Sequence, residues 1–459
     1  MNIIICGAGQ VGQSIARQLA RENNDITIID KNADLIREIN DTEDVKAITG
    51  MASYPTVLER AGAEDCDMII AVTYSDEVNM IACQIARSLF NIPVKVARIR
   101  QPDYLVPKWK DLYRQNHLPI DTVISPEKAV SEAIMRRLHI PGALNSVPFG
   151  EDGEVQVLAI RCEADCPLVN LPNNIFTEKL KKHAIGFLGT VHKNKFLMPD
   201  SKVVLHERDI VYLVTEKSNT NKALSLFGHY EREARRVIIL GGGNIGLNTA
   251  QAIEAEDQHV NVKLVELDRV RAEYAANRLK QTNVVNGSGL EKNILFECGV
   301  EQAETIVAVT NDDKVNILAS LLAKRLGCKR SVTLVNNSNY VPMLGNLGID
   351  VLVNPRETTV SSILRFTRRG KIHGVHSILE GTAEIIEAEV QSDSQIVGKV
   401  VGNLNLPKSI RIGAILRDHQ LIFPEEHDII HEKDEVIMVS LADSIKRVEQ
   451  YFTKQDAFF

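Results

Sequence analysis

The hydrophobic and polar positions of the chain fall into short blocks. Compact apolar runs such as Ile3-Ile4-Ile5-Cys6, Thr27-Ile28-Ile29 and Ile69-Ile70-Ala71-Val72 predict buried strands. Between them lie stretches with helical spacing, including Glu77 to Phe90 and, much later, Lys314 to Gly327. Strand runs alternating with helical stretches are the signature of a parallel sheet with crossover helices. The pattern then repeats: Val237-Ile238-Ile239-Leu240-Gly241-Gly242-Gly243-Asn244-Ile245-Gly246 restates the opening stretch at an offset of about 234 residues. The predicted fold class is therefore α/β, with two Rossmann-like, doubly wound parallel sheets.

The repeat extends past the glycines. Ile120 to Pro126 pairs with Ile349 to Pro355, each a last strand followed by an N-cap residue and a proline at the first helical position. The helices that follow, Glu127 to His139 and Arg356 to Thr367, are expected to leave their sheet and bury Ala129, Val130, Ala133, Ile134 and Leu138 against a neighbour. Arg136, Arg137, Arg368 and Arg369 would then lie at the rim. From about Asn145 the texture changes to short strand runs separated by Pro and Gly turns, among them Val155 to Ile160 and Asp209 to Val214, and this small α+β pattern recurs after about His376. The expected order is a sheet domain over 1–140, a small domain over 141–230, a second sheet domain over 231–370 and a second small domain over 371–459.

The glycines add chemistry to this frame. Gly7, Gly9 and Gly12 follow the first strand and open a helix, so Gly7 permits a sharp turn, Gly9 lets backbone amides approach a pyrophosphate, and Gly12 allows helix to pack on strand. A phosphate would rest on amides of Ala8, Gln10 and Val11 at a helix start. Asp30 ends the second strand 18 residues after Gly12, close to the roughly 20 typical of a carboxylate that holds ribose hydroxyls. An acid there favours NAD or an adenosine over a 2′-phosphate. Lys31 beside it is placed to meet either a phosphate or solvent.

Composition narrows the function. The chain has 459 residues, 44 % of them hydrophobic, and a net charge of −7, with no basic stripe of the kind that marks a nucleic-acid partner. No apolar run reaches the roughly 18 residues of a membrane span, and the first residues enter a strand rather than a signal sequence, so a cytoplasmic chain is expected. Seven cysteines, an odd number, suit reduced thiols. Cys162 and Cys166 have no second close pair to complete a zinc tetrahedron, and no metal site is expected. No convincing general acid or base stands out: His117 sits alone, the pairs His373/His376 and His427/His431 lack the helical HExxH setting, and P-loop and GxSxG motifs are absent.

What remains are binding features. Thr73 and Thr310 end apolar runs at the ligand edge, Asn79 and Asn316 lie on the following helices as contacts or as structural residues, and Arg98 and Arg100 alternate along one strand so that both face the same way. The doubled arrangement of Gly7/Gly9/Gly12 with Asp30, Ala71-Val72-Thr73 and Ala97-Arg98-Ile99-Arg100 resembles the TrkA family, whose members are peripheral nucleotide-binding subunits of Trk potassium uptake systems built from two RCK units. Each unit of that family is a Rossmann-like domain plus a small RCK C-terminal domain, and the resemblance spans Met1 to about Phe452.

The resemblance implies that Gly7, Gly9, Gly12, Asp30, Thr73 and Arg98 line a site for NAD(H) or ATP/ADP. Ala8, Gln10, Val11, Lys31, Ser53 and Asn79 complete the candidate set. In the second unit the candidates are Gly241, Gly243, Asn244, Ile245, Gly246, Glu266 and Thr310, but Leu334 and Asn336 replace both arginines and Leu267 replaces Lys31, so that site lacks those positive charges. The resemblance also implies no catalytic residue, a homotetramer with eight RCK units in a ring, and a Trk-type potassium-translocating membrane subunit as partner at the inner face of the cell membrane. The alternative from the residues is a pyridine-nucleotide oxidoreductase with a duplicated Rossmann domain, which lacks its catalytic group here.

Overall fold

The computed structural model describes every residue except 23, 115, 201, 257–258, 368–370, 380 and 454–459. Its first sheet has six parallel strands, β1 (Asn2–Cys6), β2 (Asp25–Asp30), β3 (Lys46–Thr49), β4 (Met68–Ala71), β5 (Val94–Arg98) and β6 (Thr122–Ile124), in spatial order β3-β2-β1-β4-β5-β6. The strand order reverses between β1 and β4, and in such sheets ligands bind outside the carboxyl ends of the strands at that switch point. A five-stranded antiparallel sheet follows, formed by β7 (Asn145–Phe149), β8 (Val155–Arg161), β9 (Ile185–His192), β10 (Lys195–Leu197) and β11 (Ile210–Glu216), ordered β10-β9-β11-β8-β7.

The second half repeats both sheets. Strands β12 (Arg236–Leu240), β13 (Asn261–Glu266), β14 (Asn283–Asn286), β15 (Thr305–Ala308), β16 (Arg330–Leu334) and β17 (Val351–Val353) form a parallel sheet in the order β14-β13-β12-β15-β16-β17. The last sheet comprises β18 (Ile372–Ile378), β19 (Ala383–Glu389), β20 (Ile410–Arg417), β21 (Gln420–Ile422) and β22 (Glu435–Leu441), ordered β18-β19-β22-β20-β21. The two-sheet-domain α/β class read from the sequence is what the chain forms.

The helix after β6 runs Pro126–His139, with Pro126 at its start and the Ser125 hydroxyl accepting the Lys128 amide at 3.4 Å. It leaves its own sheet, as expected, but the neighbour that buries it is the other half of the same chain. Val130, Ile134, Met135 and Leu138 pack with Val237, Ile239, Leu264 and Val332 of the second parallel sheet, and Ser131 and Thr249 meet through their buried hydroxyls at 3.1 Å. The second half reciprocates: Val360, Ile363 and Leu364 of helix Pro355–Thr367 join Ile3, Ile5, Ile15 and Leu19 in the first core.

The two small sheets also stack, bringing Phe149, Val157 and Leu188 against Ile385, Leu416 and Val439. Each unit has an apolar face that it cannot cover alone, and the exchange covers both. This also corrects the place expected for Arg137. It is buried, with Nε donating to the Leu144 carbonyl at 2.9 Å and Nη1 to that of Ala133 at 2.8 Å. Arg136 is half-buried, and Arg368 and Arg369 lie outside the described residues. None of the described helices is long and apolar enough to cross a membrane.

Candidate functional site

At the end of β1 the chain turns through Gly7, whose φ of +111° is open to glycine. A Cβ there would come within 2.9 Å of the Thr73 amide nitrogen and the Val72 carbonyl oxygen. Gly12 is needed for contact instead: a Cβ on it would lie 1.8 Å from the Gly7 carbonyl oxygen. A Cβ on Gly9 would meet no described atom within 4 Å, so this glycine faces open space. Gly9 is also the N-cap of helix Gln10–Arg21 and provides no side-chain cap. The first-turn amides beyond it therefore have no capping side chain, the arrangement that binds phosphate. Gln10 is exposed there and Val11 is half-buried.

Asp30 is tied to that turn. Its Oδ2 accepts the Ala8 amide at 2.7 Å and its Oδ1 accepts the Asn32 amide at 2.8 Å. A carboxylate oxygen accepts more than one hydrogen bond, so capacity for sugar hydroxyls remains. Lys31 is exposed and Ser53 half-buried at the same edge.

Thr73, at the end of the fourth strand, packs against the glycine turn. Its hydroxyl lies 2.7 Å from Asn79 Oδ1, which also accepts the Thr73 amide at 2.9 Å. Asn79 Nδ2 donates to the carbonyls of Thr73 and Arg98 at 3.2 and 2.9 Å. The Asn79 side chain is 0 % exposed and all its polar capacity is engaged. It ties the ends of β4 and β5 together, the structural one of the two roles open in the sequence.

Arg98 and Arg100 are in different situations. Arg100 Nε donates to Glu127 Oε1 at 2.7 Å, and its amide donates to the Asp76 carboxylate at 2.9 Å. Arg98 has a buried Nε with no hydrogen-bond partner among the described residues. Burial, then the neighbouring Arg100 charge, pulls its pKa below the usual guanidinium range. The Glu127 and Asp76 carboxylates pull the other way, and the buried Nε keeps an unused donor for an acceptor. The open space at Gly9, the uncapped helix start, the Asp30 carboxylate and this arginine suit a ligand that has both vicinal hydroxyls and phosphates.

The second unit reproduces most of this. Gly241 has φ +106°, and a Cβ on Gly246 would meet the Gly241 carbonyl oxygen at 1.9 Å. Asn244 and Ile245 open helix Asn244–Glu256, and Asn316 ties Thr310 to the Leu334 carbonyl as Asn79 ties Thr73 to Arg98. Glu266 Oε2 accepts the Gly242 amide at 2.6 Å, and its Oε1 accepts that of Asp268 at 2.9 Å. Leu334 in the place of Arg98 is 2 % exposed, and Leu267 in the place of Lys31 is exposed.

Arg271, in the first turn of helix Arg269–Ala276, places Nη1 4.0 Å from where a Gly243 Cβ would stand. This charge enters from the helix after β13, where the first unit has Leu35, so the residues at the strand ends do not reveal it.

The TrkA-N domain model matches residues 3–126 and 237–355, more than half of the chain, and the TrkA-C domain model matches 385–453. The chain belongs to the TrkA family. The Trk system potassium uptake protein TrkA of Azorhizobium caulinodans is 44 % identical to it, with 100 % of both chains covered. The protein of the same name from Halomonas elongata is 39 % identical, again over 100 % of both. Among solved structures, the crystal structure of the GsuK RCK domain aligns with TM-score 0.60 at 20 % identity, covering 98 % of this chain and 94 % of that one. The GsuK channel bound to NAD aligns with TM-score 0.60 at 20 % identity, covering 98 % and 78 %. These structures share the RCK fold with the chain. The family is not one of enzymes, and the oxidoreductase alternative falls with it.

Proposed function

We propose that the chain is a nucleotide-binding regulatory subunit of a Trk-type potassium uptake system, which gates a membrane potassium transporter as NAD(H) or ATP/ADP occupancy changes its conformation. The observation that carries this reading is the uncapped glycine turn held by Asp30, in a chain of the TrkA family whose first sheet also ends a strand on Arg98, with its unpartnered Nε. The GsuK channel described bound to NAD shares the fold, as does the GsuK structure bound to ADP. Gly7 to Gly12 would receive the phosphates, Asp30 the ribose hydroxyls, and Arg98 a phosphate charge, with Thr73, Lys31 and Ser53 at the rim. The second site would use Gly241 to Gly246, Glu266, Thr310 and Arg271.

Nucleotide acts in this account through unequal affinity for two arrangements of the assembly. We place four domains at 1–140, 141–230, 231–370 and 371–459. Four chains would set eight RCK units in a ring on the cytoplasmic face of the membrane subunit. The apolar stripe of helix Pro126–His139 and that of helix Pro355–Thr367 are already buried within one chain, so contacts between chains would use other surfaces. The test is a competition titration of the purified chain with NADH, NAD, ATP and ADP, with pull-down by a Trk-type membrane subunit. Micromolar or tighter binding of at least one nucleotide, together with capture, is expected. Absence of both would overturn the reading.

A further inference from the structure

The first small domain has a cluster that the nucleotide sites do not use. His192 ends β9, and Asp209 lies immediately before β11, at the close of the turn His206-Glu207-Arg208-Asp209. Asp209 Oδ1 is 2.7 Å from His192 Nδ1, and its Oδ2 is 3.6 Å from His206 Nδ1. The two imidazole rings have centroids 4.6 Å apart. One ligand atom from each residue can be chosen so that all three lie within 4.8 Å of one another. We propose that His192, His206 and Asp209 bind a divalent transition-metal ion, with zinc the best match, and that the ion clamps the end of β9 to the turn before β11.

The donor set selects the class of ion. Two imidazoles and one carboxylate suit zinc, cobalt or nickel, whereas calcium and magnesium take oxygen ligands. Tetrahedral zinc bonds of about 2.0–2.1 Å put neighbouring ligand atoms about 3.3 Å apart. The two contacts to Asp209, 2.7 Å to Oδ1 and 3.6 Å to Oδ2, lie on either side of that value. Three protein ligands leave a fourth position for water, and the His206 side chain is 50 % exposed, which provides a way in.

The turn is already fixed. Asp209 Oδ2 accepts the His206 amide at 2.9 Å, the Arg208 amide donates to the Cys162 carbonyl at 2.7 Å, and the Cys162 amide donates to the Asp209 carbonyl at 2.8 Å.

The second small domain supplies an independent observation. In that domain Asp434 stands in the place of Asp209, His431 in that of His206, and Arg417, the last residue of β20, in that of His192. Arg417 Nε and Nη2 each donate to the Asp434 carboxylate at 2.7 Å. A buried carboxylate in this fold therefore has a permanent cation beside it in one copy. In the other copy the guanidinium is replaced by an imidazole, with a second imidazole ring beside it, and a metal ion would supply the positive charge. Sequence reading did not bring the two histidines together because they stand 14 residues apart and meet only when β9 and β11 pair.

The test uses the full chain, stripped with chelator and titrated with zinc against a chromophoric chelator, and separately with cobalt while recording the visible d–d bands. One zinc per chain is expected, with cobalt bands of a tetrahedral site. H192R, which copies the ion pair of the second domain, should leave the fold unchanged by circular dichroism and abolish that equivalent. H206A removes an exposed ligand without disturbing the buried pair and should also abolish it. Failure of the wild-type chain to bind zinc, or equal binding by wild type and H206A, would overturn the proposal.

Discussion

The Ala8 amide donates to Asp30 Oδ2 at 2.7 Å, so the acid expected to hold a ribose also fixes the glycine turn that would hold the phosphates. Asp30→Ala should therefore weaken nucleotide binding in two ways. Loss of charge-assisted hydrogen bonds worth about 2–3 kcal/mol corresponds to roughly 30-fold or more in affinity. Isothermal titration with NADH and ATP checks this, and an unchanged affinity would remove Asp30 from the site.

The second unit makes the same bond with a longer acid. Glu266 reaches the Gly242 amide because residue 242 has no side chain: a Cβ there would stand 3.1 Å from both Glu266 Cβ and Oε2. Ala8 tolerates its Cβ because Asp30 is one methylene shorter. Gly242→Ala should cost about 1 kcal/mol in stability, and adding Glu266→Asp should restore most of it. Thermal melting of the single and double variants measures the recovery.

The two sites differ in where their cation comes from, and this sets their preference. Arg98→Leu copies the second unit at the first site and should lower ATP affinity there by about 10- to 100-fold, the worth of a charged hydrogen bond. Arg271→Leu should leave the tighter ATP site intact. A larger loss from Arg271→Leu than from Arg98→Leu would mean that ATP prefers the second site.

The exchanged helices make the halves one folding unit. Ile134 is buried in the core of the opposite half, so Ile134→Ala should cost about 2–5 kcal/mol. Calorimetry should show the loss as a lower transition for the whole chain. Two separate transitions in the wild type, only one of them shifted, would contradict this coupling.

Glu387 gives the small domains a pH dependence. Burial pushes its pKa up to about 7, against the pull of the Gly150 amide that donates to it at 2.5 Å. The folded state then holds a proton that the unfolded state releases above its ordinary carboxylate range. This contribution to stability is complete below about pH 4.5 and is lost as pH rises through about 7. Half-buried His376, with its pKa lowered to about 4 by desolvation and then by the nearby Arg137 and Arg136 charges, tilts stability the opposite way at acid pH. The difference in melting temperature between wild type and Glu387→Gln across this range isolates the Glu387 effect.

Much of this was legible in the sequence because it is local. The strand runs, Gly7 and Gly12, the Ser125-Pro126 helix start and the repeat all depend on near neighbours, and the fold follows them. The partner of helix Pro126–His139 was not legible, because an apolar stripe at Val130, Ile134 and Leu138 records that it will be buried and not by what. Arg137 was misplaced for the same reason: its carbonyl partners at Ala133 and Leu144 become a buried pocket only after the halves join. Arg271 and the meeting of His192 with His206 depend on side chains that converge from separate elements, which spacing along the chain does not encode.

In the proposed function, nucleotide in the first site controls potassium movement through a membrane partner. The most direct measurement is potassium flux into proteoliposomes containing a Trk-type membrane subunit, with the chain added outside and NADH, NAD, ATP or ADP supplied in turn. The account predicts that flux depends on which nucleotide is present with the wild-type chain, and that this dependence disappears with an Asp30→Ala/Arg98→Leu variant that remains folded. Flux that is the same with every nucleotide, or that responds equally with the double variant, would contradict it.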